Sequence, residues 1–182
     1  VTVSLDAITN NGNYNNLMDI KVDVIDLGVG QMAFDVYNNN SFASSLAEIY
    51  FDGDGTLLGL SSVVNGPGTM FSGGKATPKN LPAGNTINPS FETTAGFFAS
   101  AKSPAPKNGI NPGESIRLIF DLKTGKTCAD VITDLGTGDL RIGIHVIALP
   151  DGSSEAVITP EPTTIALLGL GAITLLKRRR IA

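Results

Sequence analysis

Apolar and polar residues alternate with a period of two through much of residues 1–158. Ile20, Val22 and Val24 share one side of a run whose other side carries Lys21 and Asp23. Met32, Phe34 and Val36 alternate with Ala33, Asp35 and Tyr37. Ile116, Leu118, Phe120 and Leu122 alternate with Arg117, Ile119 and Asp121, and Leu140, Ile142, Ile144 and Val146 with Arg141, Gly143 and His145. Successive side chains of a strand point to opposite faces, so this period marks half-buried antiparallel strands. Residues 1–5 and 46–51 extend the series. Turn-forming clusters interrupt it at 38–41, 65–68, 111–114 and 150–153. Short strands with frequent turns predict an all-β fold, an antiparallel two-sheet β-sandwich of jelly-roll-like form. Residues 72–111, rich in Gly, Pro, Asn and Ser, read as long loops holding one or two strands.

One body segment follows a helical period instead. Cys128, Val131, Ile132 and Leu135 fall at i, i+3, i+4 and i+7, and Thr127 is placed to cap the helix. Cys128 is the only cysteine, which excludes an intrachain disulfide and leaves the compartment open. Its place on the apolar stripe makes it a small buried hydrophobe. His145, the only histidine, stands on the strand face opposite Ile144 and Val146, which reads as a structural or solvent-facing position.

Charge changes the picture in one respect. The chain of 182 residues has a net charge of −4, but Lys177, Arg178, Arg179 and Arg180 stand together. Residues 1–159 hold 9 basic and 16 acidic side chains, a net of −7. Such a body repels nucleic-acid phosphates, and no basic stripe with interleaved aromatics is present, so no nucleic-acid partner is expected. With no Trp and 6% aromatic residues, an aromatic sugar-stacking platform is not expected either.

The pattern changes after Ile158. Thr159-Pro160-Glu161-Pro162 precedes a run from Thr163 to Leu176 without a charged residue. Thr163, Ile165, Leu167, Leu168, Leu170, Ile173, Leu175 and Leu176 make it apolar around the whole helical circumference. As a helix, the run would extend about 21 Å at ~1.5 Å per residue. That is short for a hydrocarbon core of ~30 Å, and snorkelling Lys and Arg side chains lengthen its reach. Pro160 and Pro162 keep the helix from continuing into the body. The basic cluster, Lys177 to Arg180, is a stop that stays cytoplasmic, which places the body across the membrane. Two units are therefore expected: a β-sandwich over 1–158 and a sorting tail over 159–182.

Pro160-Glu161-Pro162, the apolar run and the basic end together resemble the PEP-CTERM sorting signal of exosortase-processed bacterial proteins. The resemblance covers about the last 23 residues. Residues 108–115 and 141–146 also resemble stretches found in bodies that carry this signal. The resemblance implies that Pro160, Glu161 and Pro162 are the recognition residues, with cleavage at or near them by a membrane sorting enzyme. It further implies a Gram-negative host and a membrane-anchored precursor. The body then goes to the cell surface or an extracellular, exopolysaccharide-rich biofilm matrix. The resemblance also implies an export signal peptide, a basic start followed by an apolar run, and residues 1–5 read as strand instead, so such a peptide is expected upstream of Val1.

The body holds one acidic motif. Residues 49–58, with Asp52-Gly53-Asp54-Gly55-Thr56 after an apolar strand, resemble the nucleophile motif of haloacid dehalogenase-like phosphatases. That resemblance implies Asp52 as nucleophile and Asp54 as general acid/base. The chemistry also needs a following helix and a later acidic pair for Mg²⁺, and neither is legible in the sequence. Asp52, Asp54 and Thr56 also have the spacing of the start of a Ca²⁺ loop, but position 12 of such a loop is Val63 rather than Glu. A third reading is a tight Asp-Gly turn between two strands. The sequence as a whole reads as an exported structural or binding domain and not an enzyme. Exopolysaccharide is a candidate partner, a Ca²⁺-dependent adhesion or carbohydrate-binding module is the alternative, and no cofactor is required beyond that Ca²⁺.

Overall fold

The computed structural model describes residues 1–160. Its strands are β1 (Thr2–Ser4), β2 (Asp6–Ala7), β3 (Ile20–Gly28), β4 (Gln31–Asn38), β5 (Ser45–Asp52) and β6 (Leu57–Asn65). They continue as β7 (Phe71–Gly73), β8 (Phe98–Ala101), β9 (Ser115–Leu122), β10 (Arg141–Ile147) and β11 (Glu155–Ile158). The α-helices are α1 (Ala105–Asn108) and α2 (Cys128–Thr137). The strands form a five-stranded sheet, β1-β3-β4-β9-β6, and a six-stranded sheet, β2-β11-β10-β5-β8-β7. Every pairing is antiparallel. The chain crosses between sheets at β1–β2, β2–β3, β4–β5, β5–β6, β6–β7, β8–β9 and β9–β10.

The alternating residues explain the pairing. Register sets Val22 against Val36 and Val24 against Phe34, so one face of the β3–β4 pair is apolar and buried. The two sheets meet across four phenylalanines. Phe51 lies 5.1 Å from Phe34 and 4.7 Å from Phe120 between ring centroids, and Phe97 lies 5.2 Å from Phe120. Edge-on and tilted ring contacts of this kind add to the gain from burying the rings. On the opposite face of the five-stranded sheet, Arg117 pairs bidentately with Asp35, its cross-strand neighbour, at 2.6 and 2.7 Å.

Strands β6 and β11 are among those that lie outside the alternating pattern. In β6 the register slips between Leu57 and Gly59 and again between Leu60 and Ser62, so apolar residues do not keep a period of two along this edge. All four residues of β11 are buried. Val157 enters the inter-sheet core, while Ala156 and Ile158 join a second apolar cluster on the far face. A strand covered on both faces shows no alternation. The one helix expected within the body is joined by the one-turn α1, which starts after Pro104 with a second proline inside its first turn.

The second cluster shows what the Gly- and Pro-rich stretch does. Leu81 and Phe91 of the 74–96 loop pack on Tyr50, Phe98, Ala156 and Ile158, covering part of the outer face of the six-stranded sheet. Gly143 lies beneath this loop, and a Cβ there would meet Leu81 at 2.7 Å.

Helix α2 forms as its sequence directs. The Thr127 hydroxyl accepts from the Asp130 amide, and the Asp130 carboxylate accepts from the Thr127 amide at 2.8 Å. Val131 and Leu135 are buried. Cys128 is half-buried rather than buried, because it sits in the exposed first turn and only edges the core. Among the described residues, no helix is long and apolar enough to cross a membrane. Glu161, Pro162, the expected membrane helix from Thr163 to Leu176 and the basic cluster Lys177 to Arg180 lie outside the described residues.

Candidate functional site

Three places bear on function: the exit of the chain toward the tail, the acidic loop, and the outer face of the six-stranded sheet. At the exit, Gly143 pairs with Ile158. Thr159 extends this ladder by one residue. Its amide donates to the Ile142 carbonyl at 2.9 Å, and its hydroxyl accepts from the Ile142 amide at 3.2 Å. Thr159 is buried. Pro160 has no N–H to donate, so the ladder cannot pass through it. Thr159 and Pro160 line an apolar groove of about 350 Å³ together with β1 and with Ile132, Leu135 and Gly136 of α2.

The acidic loop is not a hairpin turn. It is an arch that carries the chain from β5 in one sheet to β6 in the other. Gly53 has φ +111° and lies against the Asp139 carbonyl, where a side chain has no room. The three candidate ligands have separate partners. The Asp52 carboxylate accepts from Arg141 and, at 3.1 Å, from the Glu92 amide. Asp54 is exposed, with Lys123 at 3.6 Å. The buried Thr56 donates its hydroxyl to Asp134 at 2.6 Å, which ties the arch to α2. Among the described residues, no three His, Cys, Asp or Glu side chains are grouped to hold a metal ion. Strand β5, which carries Asp52, runs antiparallel to both neighbours, β10 and β8.

Arg141 is the buried centre of this region. It donates to the carbonyls of Pro89 at 2.7 Å and Ser90 at 2.6 Å, and its guanidinium lies 5.4 Å from the Phe91 ring centroid. One side chain therefore fastens the 74–96 loop to β10 and compensates Asp52.

The outer face also carries a cluster that strand alternation only half revealed. His145 Nδ1 is 3.2 Å from Glu48 Oε2, the Tyr50 hydroxyl donates to the same oxygen at 2.6 Å, and Lys79 donates to Oε1 at 3.2 Å. The His145 contact, followed by those of Tyr50 and Lys79, takes the Glu48 carboxyl from its ordinary 4.5 down to about 2, against the partial burial that raises it. Burial, with Glu48 beside it, raises the Tyr50 phenol. Glu48 is thus charged in the folded state at pH values where it is protonated in the unfolded chain. Its contribution to stability is complete above about pH 4.5 and is lost as pH falls toward about 2. Glu48→Gln is expected to flatten the decline of thermal midpoint across that window. Parallel acid limbs for the two proteins would contradict this assignment.

His145 reads correctly from sequence as a residue on the outer strand face. Its partner Glu48 was missed, because the two are distant in sequence and only strand register brings them together. The lysines of this face do leave a signal: residues 75–107 hold four lysines and one acid within an otherwise acidic body.

A mostly β domain of two antiparallel sheets, whose last described strand stops at a proline just ahead of an apolar and then basic sequence, fits the class of exported proteins with a C-terminal sorting signal. The PEP-CTERM protein-sorting motif matches residues 159–180, and the chain carries that signal. The motif implies export, transient anchorage in the membrane and processing by an exosortase-type enzyme. Neither a curated protein nor a solved structure matches the chain.

Proposed function

We propose that this protein is a cargo of the sorting machinery whose jelly-roll-like body, released from its tail, serves as a structural or binding domain at the cell surface or in the exopolysaccharide matrix. The observation that carries this reading is the coincidence of two boundaries. The sorting motif begins at Thr159, the residue at which the strand ladder ends. Removal of the tail then leaves every strand of the described residues and their shared core in place.

Pro160, Glu161 and Pro162 present the junction to the sorting enzyme. The apolar run from Thr163 to Leu176 halts translocation, and the cations from Lys177 to Arg180 hold it from the cytoplasmic side. The body acts by binding rather than turnover, a reading supported by the structural engagement of Asp52 and Thr56. Fractionation of a Gram-negative exporting host tests the proposal. The domain is expected in the surface or matrix fraction when the sorting enzyme is present and in the membrane when it is deleted. A cytosolic domain in both strains would overturn it.

A further inference from the structure

The outer face of the six-stranded sheet holds a groove of about 410 Å³. Its floor is a row of polar side chains set side by side by register. Ser100 of β8 faces Glu48 of β5, and Glu48 faces His145 of β10. Neighbouring strands lie ~4.8 Å apart, so the row offers a polar group at about that interval across the sheet. Lys75 and Lys79 from the covering loop and Ser103 from the segment before α1 also line the groove.

The charge around this groove opposes that of the rest of the body. Residues 1–159 carry a net of −7, yet residues 75–107 hold four of their nine cations, Lys75, Lys79, Lys102 and Lys107, against one acid, Glu92. All four lysines are exposed. Lys102 adjoins the lining residues Ala101 and Ser103, and Lys107 lies two residues beyond the lining residue Ala105. Among the described residues, neither has a carboxylate within ion-pair distance. The one carboxylate lining the groove, Glu48, is already matched by Lys79, His145 and Tyr50. Lys75 lies 5.3 Å from the Phe98 ring centroid, which orients its ammonium group.

We propose that this groove binds a carboxylate-bearing polysaccharide of the polyuronate class. Carboxylates meet Lys75, Lys102 and Lys107, and ring hydroxyls meet Ser100, Ser103 and His145. The inference rests on the reading of the body as a matrix-binding domain and names the kind of polymer. A neutral glycan has no use for the segregated lysines. Single-stranded nucleic acid stacks its bases on aromatic faces, and no Phe, Tyr or Trp lines the groove. The surrounding acidic surface repels any polyanion not seated in the groove.

The test is retention of the full chain on immobilised polygalacturonate and on immobilised dextran, in a non-ionic detergent without sugar head groups. Polygalacturonate is expected to retain the protein at low salt and release it as salt rises. The variant carrying Lys75→Glu, Lys102→Glu and Lys107→Glu is expected to bind at least ~10-fold more weakly, through like-charge repulsion. Its thermal midpoint should be unchanged, because all three side chains are exposed. Glu48→Gln is expected to tighten binding by about two- to threefold by releasing Lys79, a gain that a purely structural Glu48 would not produce. Unaltered retention of the triple variant, or equal retention on DNA or anionic vesicles, would overturn the inference. Retention on dextran alone would overturn it while keeping the matrix-binding reading, and retention on no polysaccharide would overturn both.

Discussion

Arg141→Met is expected to destabilise the domain by about 3–5 kcal/mol, measured by chemical denaturation. The guanidinium is buried and touches Asp52, two loop carbonyls and the Phe91 ring. Methionine fills much of the space but leaves the Asp52 carboxylate without its cation and two carbonyls without their donor. Removing the cation of this pair is costly because the Asp52 carboxylate is largely withdrawn from water and the two carbonyls lose their buried donor. Against a typical stability of about 5–15 kcal/mol, that loss is a large fraction of the whole. Adding Asp52→Leu to the methionine variant is expected to recover part of it, since the orphaned charge is then gone as well. A loss below about 1 kcal/mol for Arg141→Met would show that the pair is no anchor. The 74–96 loop should also lose protection from proteolysis in the single variant, because Arg141 holds it at Pro89 and Ser90.

Replacing Pro160, Glu161 and Pro162 together by alanine is expected to change processing from nearly complete to nearly absent in the native host. Immunoblots should show the uncut precursor in the membrane fraction. Thermal stability of the body should barely change, because the ladder is closed by Thr159 and not by the residues after it. Normal cleavage of the alanine variant would assign recognition to other residues of the tail.

The parts of the fold legible in sequence are those where one physical rule dominates. In β3, β4, β9 and β10, one face is buried against the opposite sheet, so apolar residues recur at every second position. In α2, the Thr127–Asp130 capping box and the stripe through Val131 and Leu135 give both the start and the buried side. Strand β6 was hidden by two register slips, and β11 by burial on both faces. The covering loop shows in sequence only as irregular, because its fixed points, Leu81, Phe91 and the carbonyls held by Arg141, are tertiary.

Candidate chemistry divided along similar lines. The tail signal is contiguous, with its proline pair, apolar run and cations in order, so the sequence alone carries it. The acidic loop is also contiguous, but the roles of Asp52 and Thr56 are set by distant residues, Arg141 and Asp134. The row of Ser100, Glu48 and His145 exists only through pairing of three strands that are far apart in sequence. Its lysine neighbours were visible as a local reversal of charge, which acquires a place once the sheet is folded.

The protein's address and role depend on the tail being a temporary membrane handle. Mass spectrometry of the intact protein recovered from the surface or matrix of its native host tests this most directly. The expected result is a chain that ends at or near Pro160 to Pro162 and lacks the basic cluster. A water-soluble cytosolic product that still carries Arg178 to Ala182 would contradict it.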